Sequence, residues 1–204
     1  MENWIGNLDI PLIDASSICS GCLVHQGFWN MWETVASDVT SQIKSALSAH
    51  PHYTVVATGH SLGGALAAVA ATVLRASGYA VQLVCHEFQN LLSPFVQANN
   101  ILKYNYGQPR IGNLALANFI TSETSGTNYR VTHSDDIVPK LPPRFLGYDH
   151  FSPEYWITSA DNVTVTDSDV VEVLGVDSTS GNDGTSGDSV DAHGWYFVSI
   201  SACS

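Results

Sequence analysis

The strongest periodic pattern in the chain lies between Leu23 and Leu47. Phe28, Met31, Trp32, Val35, Val39, Ile43 and Leu47 recur every three or four residues, which places them on one face of an amphipathic helix that Pro51 stops. Such a stripe is core-facing rather than a binding surface. The β-branched and aromatic run from Tyr53 to Thr58 predicts a strand, and Ala65–Leu74, rich in helix formers, predicts a helix reaching about Gly78. Val81-Gln82-Leu83-Val84 opens the next strand, and Tyr104-Asn105-Tyr106-Gly107 resumes it after an indifferent stretch. A helix near Leu114–Thr121 and a strand from Tyr129 to His133 follow. This alternation predicts an α/β domain with a mostly parallel sheet and helices on its faces. Farther on, Tyr155–Thr158, Val163–Thr166 and Val170–Leu174 predict short antiparallel strands. Residues 178–189 read as a mobile Ser/Gly/Asp/Asn connection, and the apolar residues after His193 as a terminal helix.

A length of 204 residues suits one domain, 1–204, and 45% hydrophobic against 13% charged residues excludes a disordered chain. A formal charge of -12 repels nucleic acid and anionic membrane surfaces, so a neutral or interfacial substrate fits better. No run approaches the roughly 20 apolar residues that span a bilayer, and Met1–Gly6 lacks the basic and apolar regions of an export signal. Cys19-Ser20-Gly21-Cys22 has redox-motif spacing but no surrounding βαβ unit, which favours a local bridge. Zinc is not expected, because Cys85 and Cys203 stand alone, and the acidic 178–189 stretch lacks the register of a calcium loop. No metal and no cofactor are expected. Asn162-Val163-Thr164 is a glycosylation sequon that matters only in a secreted protein.

The chemistry centres on Gly59-His60-Ser61-Leu62-Gly63-Gly64, between the predicted strand and helix. A serine on such a tense strand-to-helix turn needs small residues two positions away, which Gly59 and Gly63 supply, and it projects its hydroxyl clear of the sheet. The helix dipole and the Leu62 amide then face any oxyanion formed there. A serine hydroxyl needs an imidazole to take its proton and a carboxylate to orient that imidazole. His60 adjoins the serine but points away, as a structural contact, while His25, His50 and His52 flank the long helix at surface or capping positions. His193 lies late in the chain, after an acid pair at a strand end, in the order serine, acid, histidine. The residues alone leave both Asp135 and Asp136 open.

Four motifs in order, Gly59–Leu66, Gly107-Gln108-Pro109-Arg110-Ile111-Gly112-Asn113, Asp136–Pro143 and Ala192–Phe197, resemble the filamentous-fungal triacylglycerol lipases, the class 3 lipases. The resemblance implies an α/β-hydrolase fold and a secreted serine hydrolase cleaving carboxylic esters through an acyl-enzyme at an oil-water interface. Its substrate would be a triacylglycerol. It implies Ser61 as nucleophile, Asp136 rather than Asp135 as orienting acid, His193 as base and the Leu62 amide as one oxyanion donor. Cys19 and Cys22 match a short-range disulfide of the same family. Residues 1–8 resemble its lid, with Trp4, Ile5 and Leu8 meeting acyl chains. The resemblance also implies strands and a second donor, a serine or threonine, ahead of Met1, which makes the chain a truncated member. Family members pass directly from strand to Tyr-x-x-Gly, so the stretch at 85–103 is an insertion, expected to be an unspliced intron translated in frame, with a genuine surface excursion as the alternative. Feruloyl esterases share the framework, so a feruloyl-type esterase is the alternative function, and a catalytically impaired fragment the alternative state.

Overall fold

A computed structural model describes residues 11–83 and 105–200. The predicted lid residues Trp4, Ile5 and Leu8, the 85–103 stretch, Cys85 and Cys203 lie outside the described residues. The first strands, β1 (Leu12–Asp14) and β2 (Leu23–His25), pair antiparallel, and the Cys19–Cys22 disulfide, with Cα atoms 5.3 Å apart, closes the turn between them. The long helix α1 therefore spans Gln26–Ala49, starting three residues later than the hydrophobic period suggested. His25 sets that start. Its backbone is extended, and its Nδ1 accepts the otherwise orphaned amides of Gly27 at 3.1 Å and Phe28 at 3.4 Å. Of the early histidines, His25 caps the start of α1, His50 is exposed at its C-cap, where its backbone amide donates to the Ala46 carbonyl, and His52 is exposed beyond it.

The predicted strand at 53–58 divides at Thr58 into β3 (Val55–Ala57) and β4 (Gly59–His60). β5 (Val81–Leu83) runs parallel to β3. β4 heads a five-stranded sheet with β6 (Asn105–Tyr106), β7 (Arg130–His133), β8 (Glu154–Ile157) and β9 (Val170–Val173), in the order β4-β6-β7-β8-β9. All neighbours are parallel except β8 and β9. Helix α2 (Leu62–Ala76) buries Ala65, Ala68, Ala71 and Leu74, and its small side chains let it lie close to the strands. The Asn105 side-chain amide donates to the Gly64 carbonyl at 2.9 Å across that contact. α1, α2 and α3 (Leu114–Ser122) share one core, in which Phe28, Trp32, Val69, Leu116 and Ile120 meet. A second cluster packs Tyr106, Val131 and Ile157 of the sheet against Tyr196 and Phe197. Among the described residues no helix is long and apolar enough to cross a membrane.

Three expectations fail on tertiary grounds. The predicted terminal helix is a tight hairpin of β10 (Trp195–Tyr196) and β11 (Val198–Ser199), because Tyr196 and Phe197 are drawn onto the sheet. Val163–Thr166 forms no strand, since Thr166 caps a short 3-10 turn by exchanging hydrogen bonds with Asp169. The 178–189 connection is tied down rather than free. Asn182 donates to the carbonyls of Ser134 (3.1 Å) and Asp136 (3.0 Å), its amide reaches Glu154 Oε1 (3.0 Å), and Asp183 pairs with Arg110.

Arg110 is 1% exposed and also pairs with Asp177 at 3.2 Å. Removing one partner of a buried ion pair strands the other charge without water, at a cost of about 3–5 kcal/mol. Arg110→Met is expected to lose that much stability in urea unfolding. A loss below about 1 kcal/mol would show that the cluster does not hold the loop down.

Candidate active site

Ser61 sits between β4 and α2 with φ 58° and ψ -127°. A non-glycine residue there costs about 1–3 kcal/mol and persists only where the surroundings enforce it. Here the Ser61 amide donates to the Tyr106 carbonyl at 2.9 Å, and the Ser61 carbonyl accepts from Ala65 at 3.1 Å. A Cβ at Gly59 would collide with the Gly63 carbonyl group and stand 2.6 Å from the Gly64 nitrogen, so only glycine fits. The second close approach is at Gly64, where a Cβ would lie 3.1 Å from the Gly59 oxygen; Gly63, expected to be the other required glycine, faces open space. The Ser61 side chain makes no capping bond to α2. Leu62 is the first residue of that helix, so its amide has no intrahelical acceptor.

Asp136 lies just past the carboxyl end of β7 and is fully buried. Its Oδ2 accepts from His193 Nδ1 at 2.8 Å and from the Tyr196 hydroxyl at 2.5 Å, while Oδ1 accepts from the Val138 amide at 2.9 Å. A carboxylate only accepts, so the His193 proton belongs on Nδ1 and its Nε2 keeps a free lone pair. That Nε2 is buried and has no hydrogen-bond partner, so the Ser61 hydroxyl is not bonded to it here. Such bonds commonly tighten only when substrate is bound. Asp135 takes no part in this pairing. Its carboxylate accepts from Ser134 Oγ at 3.3 Å and lies against Gly187.

Two neighbours lie directly against His193, and a third, Tyr196, acts through Asp136. Gly107, at φ 55°, passes directly beneath it: a Cβ there would be 2.8 Å from His193 Cε1 and 3.0 Å from the Tyr196 oxygen. His60 Nε2 lies 3.0 Å from the His193 carbonyl, which can only accept, so His60 donates. His60 was expected to be a structural contact; its partner is His193, with the rings 4.4 Å apart. Burial, helped by proximity to His193, lowers the His60 pKa from 6.5 to about 4. Tyr196 escaped the sequence reading. Burial and then the Asp136 charge raise its pKa well above 10, so it stays a donor to the carboxylate. Its one sequence signal is its place three residues after His193, in a run that otherwise reads as core.

The family model for lipase (class 3) matches residues 1–146. The chain belongs to the class 3 lipases. Among class 3 relatives it is 40% identical over 206 residues to a secreted mono- and diacylglycerol lipase A of Penicillium camembertii, a match covering 99% of this chain and 60% of that protein. The structure of a mono- and diacylglycerol lipase from Aspergillus oryzae superposes with a TM-score of 0.82 at 39% identity, covering 100% of this chain and 69% of that one. A triacylglycerol lipase whose catalytic centre is described as a serine protease triad gives a TM-score of 0.75 at 30% identity, covering 96% of this chain and 66% of that one. The fold is thus that of the α/β-hydrolase class 3 lipases. The chain spans about 60% of the length of the Penicillium relative.

The lowered His60 pKa has a sign that can be worked out. Between about pH 6.5 and about pH 4 the unfolded chain binds a proton at His60 that the native state refuses, so native stability is complete above that window and is lost as pH falls through it. His60→Gln, which keeps a side-chain donor, is expected to lose about 2 kcal/mol less stability than the natural sequence between about pH 7 and about pH 4.5. Equal losses in paired denaturant titrations would contradict a buried neutral His60.

Proposed function

We propose that this class 3 lipase chain is a serine hydrolase that cleaves the carboxylic esters of acylglycerols. The observation that carries the reading is the buried Asp136–His193 pair, whose second imidazole nitrogen is unpartnered and whose His193 carbonyl is bonded by His60, the residue before the strained Ser61. In the proposed reaction Ser61 Oγ attacks the ester carbonyl carbon as its proton passes to His193 Nε2. The carbonyl electrons collect on an oxyanion facing the Leu62 amide and the amino end of α2. When the intermediate collapses, the glycerol oxygen leaves with the proton from His193, and the acyl group stays on Ser61. Water, deprotonated by the same nitrogen, then releases the fatty acid and restores the hydroxyl. Asp136 holds the imidazole in the tautomer that makes Nε2 basic, and Tyr196 and the Val138 amide hold Asp136.

Acylglycerols are favoured over other esters by the relatives, named as mono- and diacylglycerol lipases, and the word secreted in the Penicillium name supports export. The apolar Trp4-Ile5 and Leu8 at the amino end suit a lid that meets acyl chains at an oil-water interface. No specific feature of the described residues favours a phenolic ester.

Purified protein is expected to hydrolyse p-nitrophenyl butyrate and emulsified monoolein, with Ser61→Ala at the uncatalysed background; equal rates for the two proteins would end the reading. Gly107→Ala pushes a methyl into the His193 ring, and a displacement of about 1 Å at a reacting group can cost roughly 100-fold. Its kcat is expected to fall by about that factor with KM little changed. An unaltered kcat would show that Gly107 does not position the base.

A further inference from the structure

Only Thr58 separates β3 from β4, and each has a parallel partner. On one side of Thr58 the pairing ends at Ala57↔Leu83; on the other it resumes at Gly59↔Asn105. One strand line advances by two residues while the other advances by 22, an excess of 20. β5 and β6 also lie on the same side of that line. The Arg75 side chain links the Val81 carbonyl (2.7 Å) to the Thr127 carbonyl (2.9 Å), so β5 stands beside the residues that lead into β7. β6 pairs with β7 itself, and the Asn105 amide reaches the Tyr129 carbonyl at 2.6 Å.

We propose that β5 and β6 are two halves of one strand, that residues 84–103 interrupt it as the translation of an unexcised intron, and that the fold belongs to the chain in which Leu83 joins Tyr104. That join places Tyr104 opposite Thr58 and carries the register unbroken from Val55↔Val81 to His60↔Tyr106. Removing one residue more or fewer would turn every later side chain of the strand to the opposite face.

The genetic code then selects between the two windows of 20 whole codons that restore register. Nuclear introns open on GT and close on AG. Valine codons are GTN, cysteine codons TGY and lysine codons AAA or AAG, so Val84-Cys85 must read GTNTGY, and Lys103 as AAG ends on AG. The alternative window, 85–104, would open on TG and close on the pyrimidine of a tyrosine codon, so it fails at both ends. Inside the window Ala98-Asn99 reads GCNAAY, which admits CTAAC, a branch-point sequence. Excision balances as two phosphoester exchanges. The 2′-hydroxyl of the branch adenosine takes the phosphate that opens the Val84 codon and frees the 3′-hydroxyl of the Leu83 codon. That hydroxyl takes the phosphate that opens the Tyr104 codon.

The interruption falls where it matters for the site, because β6 supplies the Tyr106 carbonyl that holds the Ser61 amide and leads into Gly107 beneath His193. This inference does not depend on the ester hydrolase reading. Mature messages amplified across codons 83–104 are expected to include a product shorter by three nucleotides for each of the 20 residues; messages that all retain codons 84–103 would overturn it. The protein with Leu83 joined to Tyr104 no longer has to bring two chain ends together across 20 extra residues and is expected to melt roughly 5 °C above the 204-residue chain. An equal or lower melting temperature would overturn it as well.

Discussion

The carboxylate of Asp136 has no contact with water, and a buried charge survives only where donors replace its hydration. Three donors converge on it: the His193 imidazole, the Tyr196 phenol and the Val138 amide. Each comes from a different local device. The Val138 amide is offered by the 3-10 turn after the acid, the imidazole by the 3-10 turn Ala192–Gly194, and the phenol by the first strand of the hairpin that follows. The 178–189 connection closes the arrangement from behind, through Asn182 on the Asp136 carbonyl. That loop is in turn held by Arg110, in the segment that leaves β6, and by Glu154 at the start of β8. The buried acid therefore determines where the sheet ends, the late loop and the carboxyl-terminal hairpin meet.

Ser61 reaches the same place from the other end of the chain by a device that is almost wholly local. Gly59 lets the backbone turn back on Gly63, and the Tyr106 carbonyl holds the strained residue by its amide. His60 then links the two halves, donating to the His193 carbonyl across 133 residues of sequence. His60, next to Ser61, and His193 are thus fixed to one another through the His193 backbone rather than through the Ser61 hydroxyl. His193 Nε2 is left without a hydrogen-bond partner, and the Ser61 side chain makes no capping bond.

Features specified by short stretches were legible in the sequence. The Ser61 turn, the α2 helix and the parallel strands around them follow from glycine spacing and local propensity, and family resemblance singled out Asp136 of the acid pair. What escaped was decided by distant partners. Tyr196 looks like core in Trp-Tyr-Phe, and only its approach to Asp136, 60 residues away, gives it a polar task. The same pull turned an apolar run that suits a helix into a hairpin. His25 could have sat on the surface, but the first turn of α1 needed an acceptor. The acidic 178–189 loop looked free because the arginine that anchors Asp183 lies 73 residues upstream.

The central claim is that Asp136 makes His193 basic toward Ser61. Covalent labelling by a fluorophosphonate, followed by intact mass and peptide mapping, tests it without reliance on a chosen ester. The account predicts a single adduct on Ser61 and a labelling rate about 10⁴-fold lower in Asp136→Asn, whose amide would impose the wrong imidazole tautomer. Equal labelling rates for the two proteins, or an adduct on any other residue, would contradict it.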